Sequence, residues 1–324
     1  MTTETTFIEA LRALATHDAA RGLDDDAAVL DIGGTSLVLT SDTIVAGVHF
    51  LATDPPQDIG WKLAAVNLSD LAAKGARPIA CLMNYALTGD DAWDSAFLAG
   101  LKDALDTFAM PLIGGDTVAM PKGAPGVYTL TAIGQAPPSG APSRNGALAG
   151  DVLYVTGTVG EAGLGLELAR AGQPEPAVLL RAYRRPVPLL AEGQALAPLV
   201  HAMMDVSDGV LIDAARMASA SGVAVEIALD QLPLSAEVRA SNSDDLALRL
   251  AAATAGDDYQ LLFAAPTGSM LPVSATAIGR FGEGHGLSLL NQGQRVALPS
   301  RLGYLHGQGV HNLHHPHNRL TLLP

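Results

Sequence analysis

Six aspartates punctuate the apolar stretches of this 324-residue chain: Asp26, Asp42, Asp70, Asp116, Asp205 and Asp208. Short carboxylates among Gly, Ser and Thr are the usual oxygen ligands of hard cations such as Mg²⁺. If four of them converge, their repulsion requires a cation, and Mg²⁺ in turn invites phosphate. An acidic protein can accept a nucleotide in this way, with metals bridging carboxylates to phosphate oxygens as in phosphoryl transfer. Each acid also has a plainer reading. Asp70 could pair with Lys74 on one helix stripe, and Asp24, Asp25 and Asp26 could form a solvated loop. Gly114 and Gly115 before Asp116 either let backbone amides approach a phosphate or make a tight turn. Ser207 or Asp208 could cap a helix, a contribution of about 1 kcal/mol, which leaves Asp205 unexplained.

Other chemistries lack their residues. The chain has no GxxxxGK[ST] loop, no GxGxxG after its first strand, no protein-kinase signature and no Ser–His–Asp arrangement. A net charge of −14 and an aromatic content of 4% exclude a nucleic-acid binder, which needs a basic surface and stacking platforms. Cys81, the single cysteine, lies in a Leu/Met/Ala run as a structural thiol and implies a reducing compartment. The opening MTTETTFIEALRALATHD is acidic and unlike a signal peptide, and no long apolar run is free of Gly and Pro. A cytoplasmic protein with no membrane partner is the expectation. Five histidines from His306 to His317 read as a tail with adventitious metal affinity.

The elements that must position these acids follow from periodicity and breakers. A helix is expected over 6–16, with Phe7, Leu11 and Leu14 on one face, and strands over Ala27–Ile32 and Ser36–Thr40 around the Gly33-Gly34 turn. Asp42 then terminates the second strand at a sheet edge. Between Ala65 and Pro78 a helix closed by Gly75 carries Asn67, Asp70 and Lys74 on one stripe, with Ala65, Leu68 and Ala72 opposite. A strand over Ile79–Leu87 and a helix over Asp90–Phe108 follow, the helix facing its core with Ala92, Ala96, Leu98, Leu101 and Leu105. A short strand precedes Asp116, and another spans Val127–Gly134. The Pro/Gly-rich Pro137–Gly150 stretch is the expected boundary between units 1–148 and 149–324. The second half continues with a strand at Val152–Thr156, a loop and helix over 157–172, and broken helix over 178–200. Asp205, Ser207 and Asp208 stand at a helix start, and Asp257 and Asp258 just before a strand.

In this order and spacing GLDDDAAVL, SDTIVAGVHF, AVNLSDLAAKGA, LIGGDT, MDVSDGV and AGDDYQLLF resemble the thiamine-monophosphate kinases, over roughly residues 20–265. These enzymes share a superfamily with aminoimidazole ribonucleotide synthetase, selenophosphate synthetase and a hydrogenase-maturation protein. The resemblance implies a two-domain α/β (α+β) fold of the aminoimidazole ribonucleotide synthetase type. Its N-terminal domain forms a β-barrel with a second copy, giving a homodimer. It implies ATP-dependent phosphorylation of thiamine monophosphate, by direct in-line transfer of the γ-phosphoryl group. Mg²⁺ would be held by Asp26, Thr40, Ser41, Asp42, Asp70, Asp116 and Asp205, with Asp208 on a further ion. Gly115, Asp116, Arg144 and Ser207 would contact ATP; His49, Asp257 and Tyr304 would contact the acceptor. Asp42, Asp70, Asp116, Asp205 and Arg144 would form the catalytic set. Asp24 replaces the family's usual Gly and Asp257 its usual Glu, the latter shortening a substrate-facing side chain by one methylene. Another ATP-using branch and a silent thiamine-phosphate binder are the alternatives; selenophosphate synthetase is disfavoured because no Cys precedes the first acidic motif.

Overall fold

The computed structural model of the chain describes residues 4–241 and 244–306. Helix α1 (Glu4–Arg12) and a 3-10 segment (Asp18–Leu23) lead into strands β1 (Ala28–Ile32) and β2 (Thr35–Val45). Helix α2 (Pro56–Ala73), β3 (Arg77–Leu87), α3 (Asp91–Thr107), β4 (Leu112–Ala119) and β5 (Val127–Gln135) complete the first half. Beyond the connector come β6 (Val152–Thr156), α4 (Glu161–Arg170), α5 (Ala177–Arg184), α6 (Leu190–Leu196) and β7 (Ala202–Asp205). Then follow α7 (Val210–Ser221), β8 (Ala224–Ala228), α8 (Ala236–Ala240) and α9 (Asp245–Thr254). Strands β9 (Leu261–Ala265), β10 (Ala275–Gly282), β11 (Gly286–Asn291) and β12 (Gln294–Val296) end the described chain.

The strands form a five-stranded sheet, β1-β2-β5-β3-β4, and a seven-stranded sheet, β12-β11-β8-β10-β6-β9-β7. Pairing is antiparallel except between β3 and β4 and between β8 and β11. Each sheet covers its own apolar core, as the two-domain α/β expectation requires. Among the described residues the first sheet is open, with β1 and β4 as edges, and forms no closed barrel. Its few aromatics are concentrated: Tyr85, Trp93, Phe97 and Tyr128 pack with ring centroids 4.8 to 5.7 Å apart.

Helix α2 is the axis of the molecule. Pro56 in its first turn is pre-set for a helix, and the Ala/Leu/Val sequence that follows is buried on every side from Ile59 to Ser69. It lies against α3 and on β2 and β5, and touches α6 and β7 of the second half. The contact with α6 is backbone-close: a Cβ on Gly193 would lie 2.0 Å from the Ala72 carbonyl oxygen. An expected polar stripe opposite an apolar one therefore does not describe α2, because Asn67 and Lys74 are as buried as Leu68.

Five other expectations change. The helix begins at Pro56, well before Ala65, and β2 runs on past Thr40, so Asp42 lies inside a strand rather than at its end. Helix α1 ends at Arg12, leaving Phe7 on it 58% exposed and Leu14 beyond it 78% exposed, so the expected apolar face is not covered among the described residues. Helix α3 buries Phe97, Gly100, Leu101 and Ala104, while Leu98 points outward. The Gly114-Gly115 pair makes no turn; both lie in β4, where Gly115 has φ +149° and a Cβ would meet the Met83 carbonyl oxygen at 1.8 Å. Cys81 is buried as expected, and burial pushes its thiol up to about 11.

Candidate active site

The polar residues of α2, with Lys74 at its C-terminal cap, reach out to other segments of the chain. Lys62 Nζ donates to Asp257 Oδ2 at 2.6 Å, Asn67 Oδ1 accepts the Asp42 N–H at 3.0 Å, and Ser69 Oγ donates to Asp205 Oδ2 at 2.5 Å. Asp70 accepts from Thr40 Oγ1, and Lys74 Nζ donates to Asp25 and to the Met203 carbonyl. Lys74 also lies 2.8 Å from Asp26 Oδ2, off the hydrogen-bonding line. The Asp70–Lys74 pair of the plainer reading does not form: Lys74 serves the Asp25-Asp26 turn, which is accordingly no solvated loop. Asp25 is further tied by Arg21 and Asp26 by Arg144.

Asp26, Asp42, Asp70, Asp205 and Asp208 form one electrostatic cluster. Burial, then the charges of Asp42, Asp205 and Asp26, push the Asp70 carboxyl well above the usual range. Burial and Asp26 push Asp205 up to about 8 against the Ser69 hydrogen bond, and burial with Asp26 and Asp208 pushes Asp42 up to about 6. Asp26 goes the other way. Burial would raise it, but the Arg144 and Lys74 charges prevail and hold it at about 2. Mutual repulsion among desolvated carboxylates fits an all-oxygen site for a hard divalent cation. Among the described residues no three such groups stand close enough to hold one ion in this arrangement, because Arg144, Lys74, Thr40 and Ser69 occupy the carboxylates instead.

At the start of α7 neither Ser207 nor Asp208 caps the helix. Asp213, fully buried, accepts the Asp208 and Gly209 N–H groups through Oδ2, at 3.1 and 3.2 Å, and Arg216 binds both Asp208 and Asp213. Asp258, beside Asp257, is likewise a structural acceptor, taking the Gly160 N–H at 2.7 Å at the start of α4.

A second group gathers near the N-terminal end of α2. In the β2–α2 loop His49 Nδ1 accepts the Val45 N–H at 3.0 Å, which leaves Nε2 as the protonated donor. Burial lowers the His49 pKa further than the nearby Asp257 raises it, so the ring is neutral. The His306 ring lies tilted 5.4 Å from that of His49, and Tyr304 lies 5.0 Å from His306 with its N–H on the Asp208 carbonyl at 3.0 Å. The Asp257 N–H donates to the Ser207 carbonyl at 2.8 Å, linking this group to the acidic cluster. His49, Asp257 and Tyr304 thus lie near one another, linked through Lys62 and His306. The other four tail histidines lie outside the described residues.

Three expected residues stand apart. Ser41 alternates with Thr40 and Asp42 along β2, so it faces outward and bonds Thr131 Oγ1 at 2.8 Å. Gly115 and Asp116 lie on the exposed edge strand β4. Asp116 shares its register row with Asn84, Thr129 and Thr43, on the sheet face turned away from the cluster. The sequence reading missed Lys62, Asn67 and Ser69. A lysine and an asparagine inside the apolar run WKLAAVN were the available signal, since neither is buried without a partner.

The chain is similar to known proteins over most of its length. Residues 24–136 match the family model for the AIR synthase related protein N-terminal domain, and residues 149–289 that for its C-terminal domain. The chain is 39% identical over 315 residues to the thiamine-monophosphate kinase of Caulobacter vibrioides, covering 92% of this chain and 88% of that protein. It is 36% identical over 306 residues to that of Escherichia coli K12, covering 89% and 92%. The solved structure of AaThiL complexed with AMPPCP and TMP superposes with a TM-score of 0.84 at 29% identity, covering 94% of this chain and 97% of that one.

Proposed function

The chain belongs to the AIR synthase related family, among the thiamine-monophosphate kinases, and from this we propose that it transfers the γ-phosphoryl group of ATP to thiamine monophosphate, giving thiamine diphosphate and ADP. The observation that carries the reading is the electrostatic cluster of Asp26, Asp42, Asp70 and Asp205, built around a helix that also holds the acceptor-side residues. Lys62 lies within that helix and Lys74 at its C-terminal cap, twelve positions further on, about 18 Å at 1.5 Å per residue. One axis thereby spans the length of a nucleotide phosphate chain and its acceptor.

The acceptor oxygen belongs to a phosphate already ionised at neutral pH, so the protein need not supply a strong base. The new P–O bond forms as the β–γ bridge opens and ADP leaves; positioning and charge supply the catalysis. Mg²⁺ held by Asp26, Asp42, Asp70 and Asp205, with Thr40 beside Asp70, would neutralise the phosphate oxygens. Arg144, kept charged by Asp26 despite its burial, is the guanidinium available to a phosphate once Asp26 turns to a cation. Lys74 then keeps the Asp25-Asp26 turn in place. On the acceptor side His49 offers a donor at Nε2 and Asp257 an acceptor to the aminopyrimidine, with Tyr304 flanking them.

Gly115, Asp116 and Ser41 enter this scheme through a second copy. Exposed Ile79, Leu82, Leu87, Leu112, Ile113 and Val118 make the β3–β4 side of the first sheet apolar, the composition of an interface rather than of a solvated edge. We infer a homodimer of units 1–148 whose sheets meet there, with units 149–324 outside, working in the cytoplasm. Among the described residues no helix is long and apolar enough to cross a membrane.

The test is product analysis with ATP, Mg²⁺ and thiamine monophosphate, against controls with thiamine and without metal. Thiamine diphosphate formed with equal ADP, only when metal is present, is the expected result. Binding of both substrates without product would make the chain a silent binder, and binding of neither would move it to another branch.

A further inference from the structure

Lys62 is a lysine in the second turn of a helix buried on all sides, and its side chain is only 3% exposed. A desolvated ammonium needs partners for all three N–H groups, and Lys62 finds them on three segments distant in sequence. Nζ donates to Asp257 Oδ2 at 2.6 Å and to the His49 carbonyl at 3.1 Å, and lies 4.4 Å from the centre of the Tyr183 ring. The ring itself is fixed, because the Tyr183 hydroxyl donates to Asp54 Oδ2 at 2.8 Å, and the same oxygen accepts the Leu51 N–H. The β2–α2 loop, α5 and the segment before β9 are therefore pinned to one cation.

Asp257 is the end of this assembly that reaches solvent, with 29% of its side chain exposed. Its other oxygen, Oδ1, accepts from the Tyr259 hydroxyl at 3.1 Å, and its backbone holds a left-handed φ of +66°. A short carboxylate on a strained backbone has few ways to be aimed; the ion pair with Lys62 and the Tyr259 hydrogen bond select one.

Resting on the kinase reading above, we propose that Lys62 is a positioning residue of the acceptor site. It fixes the Asp257 carboxylate against the His49 loop, so that contacts from the two halves of the chain meet one substrate, and does not itself touch that substrate. Because it acts through Asp257, its loss weakens the acceptor and leaves the nucleotide untouched.

The experiment is steady-state kinetics of Lys62→Met, Asp257→Asn and the double variant, each checked by thermal melting. Lys62→Gln, which keeps an N–H donor, is read in the same way where Lys62→Met does not fold. The expected result is a KM for thiamine monophosphate raised about tenfold, the loss of one charge-assisted contact, with the KM for ATP unchanged. The double variant should be no worse than the poorer single one, since both cut the same link. An unchanged acceptor KM in folded Lys62→Met or Lys62→Gln, an equal rise in both KM values, or additive effects in the double variant would each overturn the proposal. Wild-type protein that makes no thiamine diphosphate overturns the kinase reading and this inference with it; active wild type with an unaffected variant overturns this inference alone.

Discussion

Burial raises both Asp26 and Asp205, but Arg144 and Lys74 outweigh it at Asp26, whereas at Asp205 the Ser69 hydrogen bond does not offset burial and the neighbouring carboxylates, so the two shift in opposite directions. For Asp26, held at about 2 against an ordinary 3.8, the stabilisation is present above the ordinary value and lost as pH falls toward 2. For Asp42 and Asp205, raised to about 6 and about 8, the folded state holds protons that the unfolded chain has released. Their stabilisation is therefore complete below pH 3.8 and fades as pH rises through 6 and then 8. Metal-free protein should accordingly melt lower at pH 8 than at pH 5, and Mg²⁺ should raise the melting temperature more at pH 8, by about 3 °C or more. Equal Mg²⁺ shifts at both pH values in a calorimetric scan would remove these carboxylates from an ion site. Asp42→Asn is nearly isosteric and lies within a paired strand, so it should keep the fold and lose turnover. Wild-type rates in that variant would take Asp42 out of the reaction.

Helix α2 concentrates the energetics at the scale of elements. Lys74 caps it with a side chain that is wholly buried and holds Asp25 and Asp26, which are buried with it. Removing one partner of a buried pair strands the other, so Lys74→Met should destabilise by about 3–5 kcal/mol in urea unfolding. Asp25→Asn added to it should recover part of the loss. A variant as stable as wild type would mean that water already reaches the turn. At the other contact of α2, Gly193→Ala places a methyl group 2.0 Å from the Ala72 carbonyl oxygen. The backbones must separate, at about 1–3 kcal/mol, and the two halves of the site with them. A lower kcat together with a lower unfolding midpoint is expected; loss of stability with full activity would show that α6 does not set the site.

At the scale of the whole molecule, the edge strand β4 is exposed along its length, and Ile113 stands 63% in solvent. Ile113→Lys should halve the mass seen by light scattering and lower activity, since Gly115 and Asp116 lie on the same strand; an active monomer would place the nucleotide contacts within one chain. Much of the architecture follows from local rules: alternation built β5, short apolar runs bounded by turn residues built β1 and β6, an Asp90 cap and helical periodicity built α3, and the order of acidic motifs identified the family. Lys74 illustrates the limit. Its spacing from Asp70 is that of a helical pair, yet a helix surrounded on every side gives each polar side chain a partner from another segment, and Lys74 takes Asp25 and Asp26. Asp116 illustrates it again, because alternation assigns a residue to a face only once the strand's neighbours and register are known. The sequence by itself determined the family, through the order of its acidic motifs, and the order in which the elements occur, since these depend on residue type and short-range spacing. Only the tertiary structure decided which carboxylates share one field and which cation serves which acid, because partner choice in a desolvated interior is set by contacts between segments far apart in the chain.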